Sequence, residues 1–235
     1  MLEELLSTGF EALGLCPDAQ ALPRYRLYYE TLAEQNKVMN LTAIDGEEDT
    51  ARLHFLDCAA LLTLTELKGK SLIDVGSGAG FPGLALKVAE PSLSLTLLDS
   101  LDKRVRFLQK LSGKLGFEDV VCLHARAEEA PEALRGQFDV AASRAVARLN
   151  LLCELCLPFV KVGGLFLAMK GPGAEEEAEE AAKAIALLGG KLERVAVYPI
   201  PGTDTHHSVV MIRKVRETPK KYPRRWVQIK KQPLS

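Results

Sequence analysis

The stretch that most constrains this chain is "IDVGSGAGFPG", residues 73–83. An apolar run ending in an acid passes into a string of small residues. Apolar residues at helical spacing then resume in "LALKVA". Glycines at such a bend let the backbone approach a ligand closely, and the helix that follows turns its free N–H groups toward the same place. A strand, a glycine loop and a helix in that order make the nucleotide-binding corner of a parallel α/β sheet.

The rest of the chain extends this corner. Residues 1–66 read as helices: "LEELLSTGFEALGL", "LPRYRLYYETLAEQNKVM" and "DTARLHFLDCAALLTLTEL" repeat apolar residues at helical spacing. From residue 71 short apolar runs alternate with helices. The runs are "SLIDV", "LSLTLLD", "VVCLH", "FDVAAS", "GLFLAMK", "LERVAVY" and "HSVVMIRK". Continuous apolar runs mark strands covered on both faces, hence a parallel sheet with crossover helices. The link 198–206 is too short for a helix, so strand seven returns antiparallel to strand six. The expected organisation is a helical cap over 1–66, a nucleotide-binding domain over 67–215 and a basic tail over 216–235.

The glycine loop fits two fingerprints. From Gly78 it is G-x-G-x-x-G, for dinucleotides; from Asp74 it is D-x-G-x-G-x-G, for S-adenosylmethionine (SAM). Both expect an acid near the end of the second strand for a ribose, and Asp99 stands there. Asp74 separates them: a carboxylate before the first glycine suits the ammonium of a methionine moiety and sits badly against a pyrophosphate. Seven strands closing with an antiparallel one also leave no room for the separate substrate domain of a dehydrogenase. "LPFVKVGGLFLAMK" has the helix–turn–strand shape that SAM methyltransferases place at strand five. The expected fold is therefore α/β: a Rossmann-like class I SAM-dependent methyltransferase with an N-terminal helical cap.

Strand four constrains the methyl acceptor. Methylation of an exocyclic amine asks for an acid or amide with prolines and an aromatic, and methylation at pyrimidine C5 asks for a cysteine nucleophile. "FDVAASRAVA" offers neither. An acceptor with its own in-plane lone pair, such as guanine N7, needs only to be held in line. Arg144 then either binds guanine or phosphate through its fork or forms a structural ion pair with Asp139 or Asp57. His54 either lines the acceptor cleft or is a packed helix histidine, and Asn40 either lines the site or caps the next helix.

Charge adds a partner. The chain carries −1 overall, yet residues 213–235 hold nine Lys or Arg against the single acid Glu217. Within "KKYPRRWVQIKK", Tyr222 and Trp226 are interleaved with cations, a pattern suited to nucleic acid. Five scattered cysteines argue against a disulfide framework, and Cys153 and Cys156 read as one buried helix face rather than a zinc site. No apolar run reaches membrane-spanning length, and no basic leader precedes "MLEELLSTGF", so a cytoplasmic protein with no metal is expected. Two rivals stay open: a small-molecule or protein methyltransferase on the same fold, and a non-catalytic SAM- or RNA-binding module.

Nearly the whole chain resembles the bacterial small-subunit ribosomal RNA (guanine-N7) methyltransferase G family, also called glucose-inhibited division protein B. The resemblance is carried by "NKVMNLTAI", "HFLDC", "LIDVGSGAGFPGLALK", "LLDSLDKRVRFLQ", "RAEE", "SRAVA", "MKG" and "PKKYPRR". It implies a monomer-like cytoplasmic enzyme that methylates one guanine N7 of 16S rRNA, as naked RNA or in the small ribosomal subunit particle, releasing S-adenosylhomocysteine (SAH). It implies cofactor contacts at Gly76, Gly78 and Phe81 on the loop, where the fingerprint itself adds Gly80, at Asp99, Ser100 and Leu101 for ribose and adenine, at Ala127 and Glu128 for the adenine edge, and at Arg144. RNA contacts are expected at Asn40, His54, Lys170, Lys220, Lys221, Arg224 and Arg225. The chain departs from the family pattern at Cys58, at His206 and in "WVQIKKQPL".

Overall fold

The computed structural model describes residues 1–234. The first segment is helical: α1 (Leu2–Ala12), α2 (Ala21–Met39), α3 (Glu47–Thr50), a π-helical stretch (Ala51–Leu56), α4 (Asp57–Ala59) and α5 (Leu61–Leu64). The strands are β1 (Ser71–Val75), β2 (Ser94–Asp99), β3 (Val121–His124), β4 (Phe138–Arg144), β5 (Val160–Lys170), β6 (Gly190–Pro199) and β7 (His206–Lys214). Between them lie α6 (Gly83–Ala89), α7 (Asp102–Lys114), α8 (Leu149–Cys156), α9 (Ala174–Glu180) and α10 (Ala182–Leu187), and α11 (Trp226–Lys231) closes the chain.

All seven strands join one sheet in the order β3-β2-β1-β4-β5-β7-β6. β1 pairs in parallel with both β2 and β4, while β7 is antiparallel to both β5 and β6. The order reverses between β1 and β4, and at that switch point the carboxyl ends of the strands open a crevice. Ser143 bridges the gap there, its hydroxyl donating to the Val75 carbonyl at 2.9 Å.

One face of the sheet packs against α1, α2, α6 and α7 in a core that includes Phe10, Tyr25, Tyr28 and Phe55. The other packs against α8 to α11, with Phe138, Phe159 and Phe166 at its centre. Cys153 and Cys156 are buried in this second core.

Two local features differ from the sequence expectation. The third helical segment is not a uniform α-helix but widens at Ala51–Leu56. A π-turn spaces backbone carbonyls apart, and such turns occur where a ligand or side chain enters the helix; here the Leu53 carbonyl accepts a hydrogen bond from Arg144 at 3.1 Å. The segment after β7, expected as a basic tail for nucleic acid, is packed on the domain. Tyr222 and Ile229 are buried, and Arg135 donates to the carbonyls of Thr218 and Tyr222 at 3.0 and 2.6 Å. Arg224 forks onto the fully buried carboxylate of Glu154 on α8, with contacts of 2.9 and 2.7 Å. A buried carboxylate needs a bound cation, and Arg224 is that cation.

Candidate active site

The glycine loop turns through left-handed conformations at Gly76, Gly78 and Gly80. At Gly80, φ is 102° and a Cβ would lie 2.3 Å from the Tyr28 hydroxyl. That hydroxyl donates to the Ala79 carbonyl at 2.7 Å, and the Tyr25 hydroxyl donates to Ala85 at 2.8 Å. The N-terminal helices therefore brace the loop from behind. Gly80 serves this close approach to Tyr28 rather than lining the cavity.

The structure corrects the role expected of Asp74. It faces no cavity: its Oδ2 accepts the Gly83 N–H at 2.9 Å and so fixes the start of α6. Burial pushes its pKa up to about 7, and Oδ1 has no hydrogen-bond partner among the described residues.

Two cavities meet at the crevice and share Gly76, Asp99, Ser100 and Val146. The smaller, about 190 Å³, is bounded by Leu98, Ala125, Ala127, Glu128, Leu155 and Trp226. The larger, about 400 Å³, is bounded by Thr42, His54, Gly78, Phe81, Arg104 and Arg144 among others. Asp99 stands at the junction. Its two oxygens accept the N–H groups of Gly78 and Leu101, each at 2.9 Å, which ties the loop to the end of β2. Leu101 contributes this backbone N–H, while its side chain points to solvent and lines neither cavity. His124 supports the same corner from Nε2, donating to the Ser100 carbonyl at 3.1 Å. The Ala145 backbone is left-handed with φ 55°, and this turn carries Val146 over Gly76.

The residues suit S-adenosylmethionine in two parts. The small cavity has an aliphatic floor and an aromatic side, and the Glu128 Oε1 is buried there without a hydrogen-bond partner. Arg126 Nη1 stands 3.6 Å from this oxygen, beyond hydrogen-bond reach; a buried acceptor without a hydrogen bond is costly, and the exocyclic amine of adenine is a donor that satisfies it. The larger cavity would take the methionine part and the incoming acceptor, with Asp99 between the two at the level of a ribose.

Arg144 organises the wall of the larger cavity. Nη1 donates to Asp57 Oδ2 and to the Leu53 carbonyl, both at 3.1 Å, and Nη2 donates to His54 Nδ1 at 2.7 Å. The guanidinium carbon lies 4.8 Å from the centre of the Phe81 ring, within cation–π range. The ion pair with Asp57 is thus present, and the same guanidinium lines the cavity. Asp57 is also held by the Tyr198 hydroxyl and by His207 Nδ1, both at 2.9 Å from Oδ1. His54 stacks on Phe81 at 4.2 Å, and its Nε2 meets Thr42 Oγ1 at 2.9 Å. Asn36 holds the Thr42 backbone through both of its side-chain atoms at 2.9 Å.

Several RNA contacts expected from sequence lie elsewhere. Asn40 is the C-cap of α2 in the left-handed conformation, exposed and outside the cavity lining; Thr42, two residues on, lines the cavity in its place. Lys170 is turned inward, donating to Glu177 and to the Ala147 carbonyl at 2.8 Å each. Arg224 is taken by Glu154. Lys220, Lys221 and Arg225 are exposed. Among the described residues no cluster of His, Cys, Asp and Glu could hold a metal, and no helix is long and apolar enough to cross a membrane.

Asp57, expected as one of two possible ion-pair partners, joins Tyr198, His207, Thr42 and Asn36 in the network around Arg144, and the roles of the last four had no local signature. Only the His54–Asp57 spacing, one helical turn, hinted that two polar residues share a face.

The fold and the paired cavities define a SAM-dependent methyltransferase of the Rossmann-like class I type. A solved SAM-dependent methyltransferase from Aquifex aeolicus has the same architecture, with a TM-score of 0.52 at 20% identity over 70% of this chain and 92% of its own. The family model GidB, rRNA small subunit methyltransferase G, matches residues 21–204. Ribosomal RNA small subunit methyltransferase G of Clostridium botulinum (strain Loch Maree / Type A3) is 50% identical over 210 residues, 88% of each chain. The protein of that name from Alkaliphilus metalliredigens (strain QYMF) is 47% identical over 233 residues, 98% of each chain. The chain belongs to the rRNA small subunit methyltransferase G family.

Proposed function

We propose that this protein transfers the methyl group of S-adenosylmethionine to N7 of one guanine in 16S ribosomal RNA, acting as a cytoplasmic monomer on the RNA or on the small ribosomal subunit. The observation that carries the acceptor chemistry is the state of the side chains around Arg144. His54 has no free lone pair, because Nδ1 accepts from Arg144 and Nε2 faces Thr42. Burial pushes the Cys58 thiol well up and leaves it no exposure, so it is no nucleophile. With neither His54 nor Cys58 able to act as base or nucleophile beside Arg144, the site suits an acceptor that brings its own lone pair and loses no proton, and guanine N7 is such an acceptor.

Bound S-adenosylmethionine supplies a methyl group on a sulfonium and leaves as S-adenosylhomocysteine. The chain's own residues orient the partners. Asp99, with Ser100 beside it, would accept ribose hydroxyls, Ala127 and Glu128 would meet the adenine edge, and Gly76, Gly78 and Phe81 would shape the methionine side. Arg144 would position the base or its phosphate with the donors left over from Asp57, Leu53 and His54. Exposed Lys220, Lys221 and Arg225 would meet RNA phosphates. The test is transfer of labelled methyl to small ribosomal subunits and to naked 16S rRNA, followed by mapping of the modified nucleotide. No transfer to either substrate, or label on an exocyclic amine, would refute the reading.

A further inference from the structure

The smaller cavity has a wall that neither the glycine loop nor the strand ends supply. Trp226, the single tryptophan of the chain and the first residue of α11, closes it from the outside. Its segment is fixed at several points: Arg135 holds the carbonyls of Thr218 and Tyr222, and Arg224 holds Glu154. Tyr222 and Ile229 are buried on either side of Trp226. Glu154 is followed on α8 by Leu155, which lines the same cavity, so the ion pair and the cavity wall share one turn of helix.

The indole is half-buried against the second core, whereas the cations around it, Lys221, Arg225 and Lys230, are exposed. The segment thus has an aromatic inner face and a cationic outer face. An indole opposite an aliphatic floor, with the buried Oε1 of Glu128 on the same lining, free of hydrogen bonds and 3.6 Å from Arg126 Nη1, is a slot for a flat base with an exocyclic amine. Stacking against an aromatic ring suits any purine face.

We propose that Trp226 is the outer wall of the adenine subsite, and that residues 218–231 are a cofactor-binding strap pinned by the Arg224–Glu154 pair rather than only an RNA-binding tail. This rests on the methyltransferase reading above and extends it to a residue beyond the stretch that the family model matches.

Because Trp226 is the only tryptophan, its fluorescence reports the subsite directly. S-adenosylhomocysteine and adenosine are titrated into the full-length protein, with binding followed by tryptophan emission and by calorimetry. Emission should change saturably with both ligands, at the affinity calorimetry gives. Trp226→Ala should weaken both ligands by a similar factor of about ten, and Trp226→Phe should restore most of the loss. If S-adenosylhomocysteine binds calorimetrically while emission stays unmoved, the proposal falls and the methyltransferase reading stands. The same holds if Trp226→Ala binds like the wild type, or if emission answers an rRNA fragment but neither ligand. If the wild type binds no S-adenosylhomocysteine at all, the cofactor reading itself fails. Should Trp226→Ala not fold, wild-type emission decides: a saturable change upholds the proposal and an unmoved signal overturns it.

Discussion

The Nδ1 of His54 accepts a hydrogen bond from Arg144 Nη2 at 2.7 Å. Arginine carries donors only, so this nitrogen has no proton and the ring proton sits on Nε2, toward Thr42. Charging the imidazole would set an N–H against the guanidinium. Burial, reinforced by Arg144, accordingly pushes the His54 pKa down to about 3. His207, on the far side of Asp57, is shifted the other way, because its hydrogen bond to Asp57 favours the charged ring.

Opposite shifts predict opposite pH effects. Between about pH 3 and 6.5 the unfolded chain binds a proton at position 54 that the folded chain refuses. Stability therefore falls as pH drops through that window, by up to about 1.4 kcal/mol per pH unit. The raised pKa of His207 gives a contribution fully present below its unfolded value and lost as pH rises through the folded one. In urea unfolding at about pH 5 and about pH 7, His54→Gln should lose less stability on acidification than the wild type, and His207→Gln should lose more. Equal losses in all three would contradict the assigned proton positions.

Asp57 is the anchor of the Arg144 wall, buried and held by three donors. Removing one partner of a buried pair costs about 3–5 kcal/mol; Asp57→Ala should fall in that range by denaturant unfolding. Arg144→Ala breaks the same pair, so it should lower the melting temperature as well as methyl transfer. Transfer should drop roughly tenfold to a thousandfold, since small misplacements of reacting groups are costly. Arg144→Lys keeps a charge but cannot reach Asp57, Leu53 and His54 together, and should recover little. Single-turnover transfer measured on folded protein is the check. A folded Arg144→Ala variant with wild-type transfer would refute the positioning role.

What the sequence made legible follows from how local each signal was. The glycine loop, the acid at the end of β2 and the seven apolar runs are contiguous patterns, and each lies in the structure where the pattern puts it. The short link before β7 fixed its antiparallel direction for the same reason. Asp74 was misread because its spacing relative to the loop says nothing about which side of the backbone its carboxylate takes. The network of Asn36, Thr42, His54, Asp57, Tyr198 and His207 draws on five separate elements, and no spacing along the chain encodes that meeting. The packing of the C-terminal segment was not legible, because nothing near Arg224 in the sequence points to its buried partner, 70 residues away.

That buried partner separates two kinds of tail variant. Neutralising the exposed Lys220, Lys221, Arg225, Lys230 and Lys231 to Gln should weaken rRNA binding and flatten its salt dependence, by up to about 0.9 in slope per lost phosphate contact. Thermal melting and S-adenosylhomocysteine affinity should stay near the wild type. Deleting residues 218–235 removes the cation from Glu154 and strips Tyr222 and Ile229 from the core, so melting temperature should drop sharply. Unaltered rRNA affinity and salt slope in the five-site variant would show those cations to be only solvated surface.

Asp99 joins the two cavities, and its variants test whether it does more than anchor the loop. Its oxygens already accept the N–H groups of Gly78 and Leu101, and Arg104 stands 3.6 Å away. A carboxylate oxygen has lone pairs for a second donor, and a ribose hydroxyl at the cavity junction is the donor expected there. Replacing Asp99 by alanine should remove a charge-assisted contact worth about 1.5–3 kcal/mol, or roughly ten- to a hundredfold in S-adenosylhomocysteine affinity. Loosening of the loop should add to this for any ligand. An analogue lacking both ribose hydroxyls isolates the two effects, because it feels only the loosened loop. The alanine variant should therefore bind this analogue with a smaller loss than it shows for S-adenosylhomocysteine. Equal losses for both ligands in paired calorimetric titrations would leave Asp99 as an anchor of the glycine loop, with no hand in holding the ribose.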